Sequence, residues 1–163
     1  MVITDLSQAE AYAAAAAVPD PEIPVLTIED LGILRDVTLL DGKATVELAP
    51  TYTGCPAVLA IELSVETALR DAGFDPVIKR VISPPWTTDW ITDEGREKLR
   101  AYGIAPPQKA ANSPRALFGE TQVTCPRCAS TNTTRISEFG STACKALYRC
   151  DACAEPFDYF KCI

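Results

Sequence analysis

Six of the seven cysteines lie in the last 39 residues, and four of them form two pairs with identical spacing. Cys125 and Cys128 form one C-x2-C pair, Cys150 and Cys153 form the other, and 21 residues separate the pairs. Each pair predicts a tight turn that points two sulfur atoms at one place. Two such turns complete the tetrahedral set of four thiolates that structural Zn²⁺ prefers. We therefore expect a closed four-cysteine site for zinc, with iron as the alternative because a rubredoxin-like centre uses the same ligands.

Two further cysteines, Cys144 and Cys162, fall in the same region but outside this spacing. Each has two interpretations. A lone cysteine is commonly a small buried apolar side chain. Alternatively, the two thiolates are additional ligands for a second metal or cluster, since the neighbouring cations of Lys145 and Arg149 favour ionised thiols. The sequence leaves both interpretations open.

Cys55 is the one cysteine ahead of the tail, and it lies between a predicted strand and a predicted helix. Pro56 suits the first position of a helix, which places Cys55 at the N-cap. The free N–H groups and the positive end of the helix dipole favour a thiolate there, and Gly54 lets the backbone bend. A reactive thiol and a buried cysteine beneath the start of a helix are equally supported.

The sequence contains no histidine, so it lacks the usual general base, any Ser-His-Asp or Cys-His pair, and every imidazole metal ligand. Chemistry must therefore come from cysteine, carboxylates, lysine, tyrosine or a bound metal. An odd number of cysteines in a compartment expected to be reducing favours metal binding or thiol chemistry over a disulfide framework.

The elements that position Cys55 are predicted to form a small α/β domain. Ser7 and Glu10 form a capping box for an alanine-rich helix, and Asp41-Gly42 is a strong hairpin turn. Apolar residues alternate in the predicted strands and recur at helical spacing in the second helix. The predicted order is helix Gln8–Ala17, strand Ile33–Leu40, strand Lys43–Leu48, helix Pro56–Ala72, strand Val77–Ile82 and helix Asp93–Tyr102.

The tail that carries the other cysteines is predicted to be a separate all-β domain. Short strands are expected at Thr131–Glu138, Lys145–Arg149 and Pro156–Lys161. About 43 residues bury too little apolar surface to fold alone, so a metal staple is expected. We predict an α/β domain over residues 1–105, a proline-containing linker over 106–120 and a zinc-ribbon-like domain over 121–163, which makes the whole chain α+β.

Composition and charge exclude several classes of protein. Apolar residues make up 47% and charged residues 23%, as in ordinary globular proteins, and no apolar run approaches the ~18–20 residues that cross a bilayer. The apolar segment Ala11–Val18 has no basic residue ahead of it, so it does not predict a signal peptide, and we expect a cytoplasmic protein. Residues 1–105 contain 8 Lys/Arg and 17 Asp/Glu, which disfavours nucleic-acid binding.

Two sets of motifs extend over nearly the whole chain. The first set comprises residues 20–24 (DPEIP), 28–33 (IEDLGI) and 51–56 (TYTGCP). This set resembles the iron–sulfur cluster assembly family once catalogued as domain of unknown function 59. The second set comprises residues 86–91 (WTTDWI), 102–107 (YGIAPP), 139–150 (FGSTACKALYRC) and 160–162 (FKC). It resembles the phenylacetic acid degradation protein D family of accessory subunits associated with phenylacetyl-CoA epoxidase.

These resemblances imply a non-catalytic accessory role beside a multicomponent oxygenase that activates the aromatic ring of phenylacetyl-CoA. They imply that Cys55 handles a transient iron–sulfur cluster, with Asp20, Glu22 and Thr53 lining the same pocket. The implied partners are the other epoxidase subunits, among them an iron–sulfur flavin reductase, and a homodimer stays open. The chain itself fits neither oxygenase nor reductase, because it lacks Glu-x-x-His pairs, long helices and a glycine-rich dinucleotide loop.

Two other functions stay open beside assistance in metal-centre assembly. In the first, the four-cysteine ribbon joins subunits and Cys55 is structural, so a Cys55→Ser variant leaves partner activity intact. In the second, iron in the ribbon makes the chain a rubredoxin-like electron carrier, which would be coloured and would bleach on reduction. Metal analysis with an absorption spectrum separates this electron carrier from a zinc protein.

Overall fold

Two sheets organise the chain, one before and one after a division that follows Trp86. The computed structural model describes residues 6–52, 54–108 and 122–161. Helices and strands are mixed in the first unit, and strands dominate the end of the second, which confirms the predicted α+β class. In the described residues, every helix is too short or too polar to span a membrane.

The described part of the first unit contains α1 (Gln8–Ala16), β1 (Leu34–Leu40), β2 (Lys43–Leu48), α2 (Ala57–Asp71) and β3 (Asp75–Arg80). β1 and β2 pair antiparallel, and β2 pairs parallel with β3. The hairpin turn is the predicted one: φ is 49° at Asp41 and 77° at Gly42, as a type I′ turn requires. The parallel pairing makes α2 the crossover helix between β2 and β3. The chain leaves the end of β2, passes through the segment that contains Cys55, and then enters the first turn of α2.

The core of the first unit follows the predicted periodicities. Alternate residues of β2 are buried, and so is one face of α2 that includes Ile61, Val65 and Leu69. The capping box at the start of α1 is confirmed, because the Ser7 N–H donates to Glu10 Oε2 at 2.8 Å and the Glu10 N–H donates to Ser7 Oγ at 3.2 Å.

Trp86 closes the first unit. Its side chain is buried, and its Nε1 donates to the carbonyl of Leu31 at 2.8 Å. The indole therefore fastens the end of the unit to the loop that precedes β1, and its polar edge is satisfied inside the core.

The described part of the second unit contains a 3-10 helix (Thr88–Trp90), α3 (Asp93–Ala101), β4 (Ile104–Ala105), β5 (Thr133–Ser137), β6 (Lys145–Cys150) and β7 (Pro156–Phe160). The strand order is β4-β7-β6-β5. Tyr148 lies at the centre of the core, with its ring centroid 6.0 Å from that of Phe157 and 5.6 Å from that of Tyr159. Cys125 and Cys150 are buried in the same cluster.

The second unit starts earlier in the chain than the predicted zinc-ribbon-like domain. β4 pairs parallel with β7, and the buried Arg96 of α3 donates hydrogen bonds to the carbonyls of Thr88 and Pro107. Residues 87–105, which the sequence assigned to the first domain, are therefore grouped with the tail. A two-residue strand carries no alternation, and its partner lies far along the chain, so the sequence shows no sign of this pairing.

Candidate metal centre and the Cys55 loop

Two turns of the same form carry the four paired cysteines of the second unit. In the first turn, the N–H of Cys125 donates to the carbonyl of Ser130 at 2.9 Å. In the second turn, the N–H of Cys150 donates to the carbonyl of Glu155 at 2.9 Å. Each hydrogen bond joins a first cysteine to the residue five positions later, so each C-x2-C pair is closed into a compact loop.

An alanine in the left-handed region follows each cysteine pair. The φ angle is 61° at Ala129 and 64° at Ala154. This conformation costs a residue with a side chain about 1–2 kcal/mol. Backbone strain of this kind persists only where surrounding structure fixes the chain. Its occurrence at equivalent positions of both turns indicates that both loops are shaped around the sulfur atoms they present.

The two turns bring four sulfur atoms together. Cys125 Sγ lies 3.8 Å from Cys153 Sγ, Cys128 Sγ lies 3.5 Å from Cys150 Sγ, and all four lie within 4.8 Å of one another. A tetrahedron with metal–sulfur bonds of about 2.3 Å has sulfur–sulfur edges of about 3.8 Å. The four thiols therefore fit one tetrahedral metal ion. Within residues 6–52, 54–108 and 122–161, they are the one group of three or more Cys, Asp or Glu side chains placed to do so.

Cys150 and Cys128 differ in how readily they ionise. Backbone hydrogen bonds from Cys153 and Ala152 to the Cys150 sulfur lower the pKa of Cys150 to about 7. The backbone of Ser130 acts in the same direction on Cys128, but hydrogen bonds with the neighbouring thiols and burial raise the pKa of Cys128 to about 12. Crowded thiols cannot all ionise without a compensating charge. A divalent metal ion supplies that charge, so the donor set fits such an ion chemically as well as geometrically.

Burial divides the site into two sides. The first cysteine of each pair, Cys125 and Cys150, is buried, and the second, Cys128 and Cys153, is exposed. A metal ion held by all four would therefore join the core of the second unit to the tips of the two turns. Four protein ligands leave no open position for a substrate, which is typical of a structural metal site.

Cys144 does not belong to the four-sulfur group. It precedes β6, and Cys150 ends the same strand, so about six residues or 20 Å of extended chain separate the two. The buried Cys144 Sγ lies 3.0 Å from Thr142 Oγ1. Cys162 lies outside the described residues. The role of these two cysteines as additional thiolate ligands therefore stays a prediction.

Cys55 lies one residue further from its helix than predicted. α2 begins at Ala57, and its N-cap is Pro56, which has helical angles and makes no side-chain capping hydrogen bond. The Cys55 N–H donates to the Tyr52 carbonyl at 3.2 Å, and the Cys55 carbonyl accepts from the Val58 N–H at 3.3 Å. The backbone is held on both sides, while the side chain is half-buried and partly accessible.

The carboxylates predicted to accompany Cys55 have separate environments. Asp20 is buried, and its Oδ1 accepts hydrogen bonds from the N–H groups of Glu22 at 2.8 Å and Ile23 at 2.7 Å. The Asp20 carboxylate therefore holds the turn of its own loop, a role that the Asp-Pro spacing could have indicated as an Asx turn. Glu22 is half-buried, and Thr53 lies outside the described residues. A pocket shared with Cys55 stays a prediction.

A relative that matches nearly the whole chain identifies its family. A protein of Escherichia coli (strain K12), named as the D subunit of a "Putative 1,2-phenylacetyl-CoA epoxidase", is 54% identical over 155 residues, which cover 94% of this chain and 92% of that protein. The chain belongs to the family of this epoxidase subunit. Its two parts match separately: residues 8–75 match the iron–sulfur cluster assembly protein family, and residues 109–161 match the PaaD zinc beta ribbon domain. Both predicted resemblances are confirmed.

Solved structures match the first part of the chain. A domain of unknown function, DUF59, from Bacillus anthracis is 27% identical, with a TM-score of 0.53, and the match covers 56% of this chain and 90% of that domain. A conserved hypothetical protein from Thermotoga maritima is also 27% identical, covering 58% of this chain and 94% of its own length, with a TM-score of 0.49. The first match supports the iron–sulfur-assembly type of fold for the first part of this epoxidase-subunit family.

Proposed function

We propose that this chain is a non-catalytic accessory subunit of a phenylacetyl-CoA epoxidase system, and that it assists the assembly of an iron–sulfur or iron centre in a partner protein. The observation that carries this proposal is the presence, in one chain, of an iron–sulfur assembly domain with a half-buried thiol and a four-cysteine ribbon. The client we assign is the cytoplasmic iron–sulfur flavin reductase of that system, because it is the component expected to carry an iron–sulfur cluster.

Two features support an accessory role. The sequence has no histidine, so it offers no imidazole as a general base or as a ligand of a di-iron centre. The four-cysteine site is a complete set of ligands, so a bound metal would have no position at which to activate a substrate. The remaining thiols are the soft ligands that the chain offers to an iron centre outside that site.

Cys55 is the thiol that we assign to the cargo, an iron centre in transit. A thiolate is a soft ligand that suits such a centre, and the half-buried side chain is accessible to it. Leu59 and Leu63, four residues apart on α2, are 71% and 64% exposed and lie on one stripe of the helix. Exposed apolar residues on the helix that follows Cys55 in the chain are typical of a surface that meets another protein, as cluster transfer requires.

We assign zinc to the four-cysteine site as a structural ion. The assignment is supported by sulfur–sulfur distances of 3.5 and 3.8 Å and by the small core that the short strands β5, β6 and β7 build. The chemistry supplied by such an ion is coordination alone. The chain's own residues hold it, with backbone N–H groups directed at the Cys150 sulfur and the two turns fixing the directions of all four thiols.

The test is to produce the epoxidase subunits together with either the wild-type chain or a Cys55→Ser variant. We expect the variant to fold and keep its ribbon metal, and to yield a reductase with lower iron and acid-labile sulfide and lower turnover. Cys144→Ser is the matched control, because it removes a buried thiol of the second unit that we do not assign to the cargo, and it should leave the reductase unchanged. Normal cluster content with Cys55→Ser contradicts transfer through Cys55.

A purely structural assembly module is the second candidate, and one observation favours it. Among the described residues, the Cys55 sulfur forms no group with two other Cys, Asp or Glu ligand atoms. If Cys55 is structural, the reductase keeps its cluster with Cys55→Ser, yet removal of the whole chain still disrupts assembly of the complex. Size-exclusion chromatography of the epoxidase components with and without the chain distinguishes this module from a maturation factor. An absorption spectrum identifies the rubredoxin-like alternative.

A further inference from the structure

An ion pair joins the two cysteine turns across the solvent-facing side of the metal site. Arg127 lies between the two cysteines of the first turn, and Glu155 ends the second turn, 28 residues later. Arg127 Nη1 lies 2.5 Å from Glu155 Oε2. The Glu155 backbone carbonyl also closes the second turn through its hydrogen bond from Cys150. The side-chain contact therefore connects the two turns directly, in addition to their grouped sulfur atoms.

The position of Arg127 brings a permanent positive charge close to the sulfur group. Arg127 immediately precedes Cys128, which is exposed, and the Arg127 side chain is itself 68% exposed. The guanidinium and this thiol are therefore both accessible to water and competing ligands.

A tetrathiolate site has a charge imbalance that such a residue relieves. Four thiolates around a divalent ion carry a net charge of −2, and a permanent opposite charge nearby stabilises that charge. Metal loss starts when one thiolate leaves the ion. The exposed thiols, Cys128 and Cys153, are the ones a proton or chelator reaches first.

We propose that Arg127 is a positioning residue for the metal site: held by Glu155, it compensates the thiolate charge and ties the two turns together, and so slows release of the metal. The proposal rests on the four-cysteine metal site proposed above. It assigns a specific task to the one arginine inside a cysteine pair, and it concerns metal retention rather than the choice of client.

The expected effect is modest, because the Arg127 and Glu155 side chains are 68% and 41% exposed and water weakens their attraction. Arg127→Ala should accelerate metal loss about two- to fivefold, the range typical of one partly exposed ion pair. Arg127→Glu should accelerate it further, because a negative charge then faces the thiolates and Glu155. A higher salt concentration should reduce the difference between the metal-loss rates of wild type and Arg127→Ala, since ions screen exposed charges.

The experiment uses the full-length chain loaded with Co²⁺, whose tetrathiolate absorption reports the intact centre. Excess chelator is added, and the decay of the absorption gives the rate of metal loss. Arg100→Ala is the matched control. Arg100 also pairs with an exposed glutamate of the second unit, Glu97 on the same helix, but it lies outside both cysteine turns.

Faster loss in Arg127→Ala, still faster loss in Arg127→Glu and an unchanged rate in Arg100→Ala support the proposal. An Arg127→Ala rate equal to wild type overturns it, and so does equal acceleration by Arg100→Ala, which would indicate a general effect of surface charge. Glu155→Gln is the second variant: it should also accelerate loss, and a wild-type rate there contradicts the role of the pair. A wild-type chain that shows no tetrathiolate spectrum instead contradicts the metal site itself.

Discussion

Replacing Asp20 by alanine removes the acceptor that shapes the loop between α1 and β1. Asp20 Oδ1 accepts from the N–H groups of Glu22 and Ile23, at 2.8 and 2.7 Å. Ile23 is 2% exposed, so its N–H gains little from water when the carboxylate is lost. Glu22 is half-buried, so water partly hydrates the Glu22 N–H once the Asp20 carboxylate is removed. The perturbation therefore leaves one buried donor and one partly hydrated donor without an acceptor.

The size of the loss follows from these two donors. An unsatisfied buried N–H costs about 1–3 kcal/mol, and the partly hydrated one costs less. Removing the buried carboxylate also relieves its own desolvation, so the net loss in the free energy of unfolding of the first unit should be about 2–3 kcal/mol. Asp20→Asn keeps an oxygen acceptor and loses only the charge assistance, about 1 kcal/mol or less.

Hydrogen exchange followed by mass spectrometry measures this loss within the intact chain. Amides of β2 should exchange about 30- to 150-fold faster in Asp20→Ala, since each 1.4 kcal/mol is a factor of ten. Amides of β6 in the second unit provide the comparison. Unchanged exchange in β2, or equal losses in Asp20→Ala and Asp20→Asn, would refute the assignment of Asp20 to its own loop. An Asp20→Asn chain that is stable but fails to support the client's cluster would instead place Asp20 among the site residues.

Three further predictions concern stability and the metal. Removing the metal with a chelator should make β5–β7 sensitive to protease while the first unit stays resistant, because metal binding of about 10 kcal/mol or more is coupled to folding; a resistant metal-free second unit would contradict this. Ala129→Gly should relieve the left-handed backbone strain and stabilise the metal-loaded chain by about 0.5–1 kcal/mol in thermal unfolding. A loss of stability in this variant would show that the strain is not there. Trp86→Phe should cost the first unit about 1–3 kcal/mol by leaving the Leu31 carbonyl unsatisfied, and an unchanged denaturation midpoint would argue against the 2.8 Å hydrogen bond.

Local patterns in the sequence were sufficient for most of the helices and strands and for the grouping of four cysteines. The capping box, the Asp41-Gly42 turn and the alternation in β2 each depend on residues a few positions apart, so they are readable without the fold. The four-cysteine site was predictable for the same reason. Each C-x2-C pair fixes its own turn geometry, and only one further step, the meeting of two turns, is left to the tertiary structure.

What the tertiary structure decided depends on residues far apart in the chain. The pairing of β4 with β7 groups residues 87–105 with the second unit. β4 is only two residues long, so no pattern in the sequence indicates this pairing. The Arg127–Glu155 ion pair joins positions 28 residues apart. The sequence alone predicts only an exposed charged side chain at each position. The burial of Asp20 and the placement of Cys55 outside the first turn of α2 depend on how backbone N–H groups are satisfied, which only the folded chain determines.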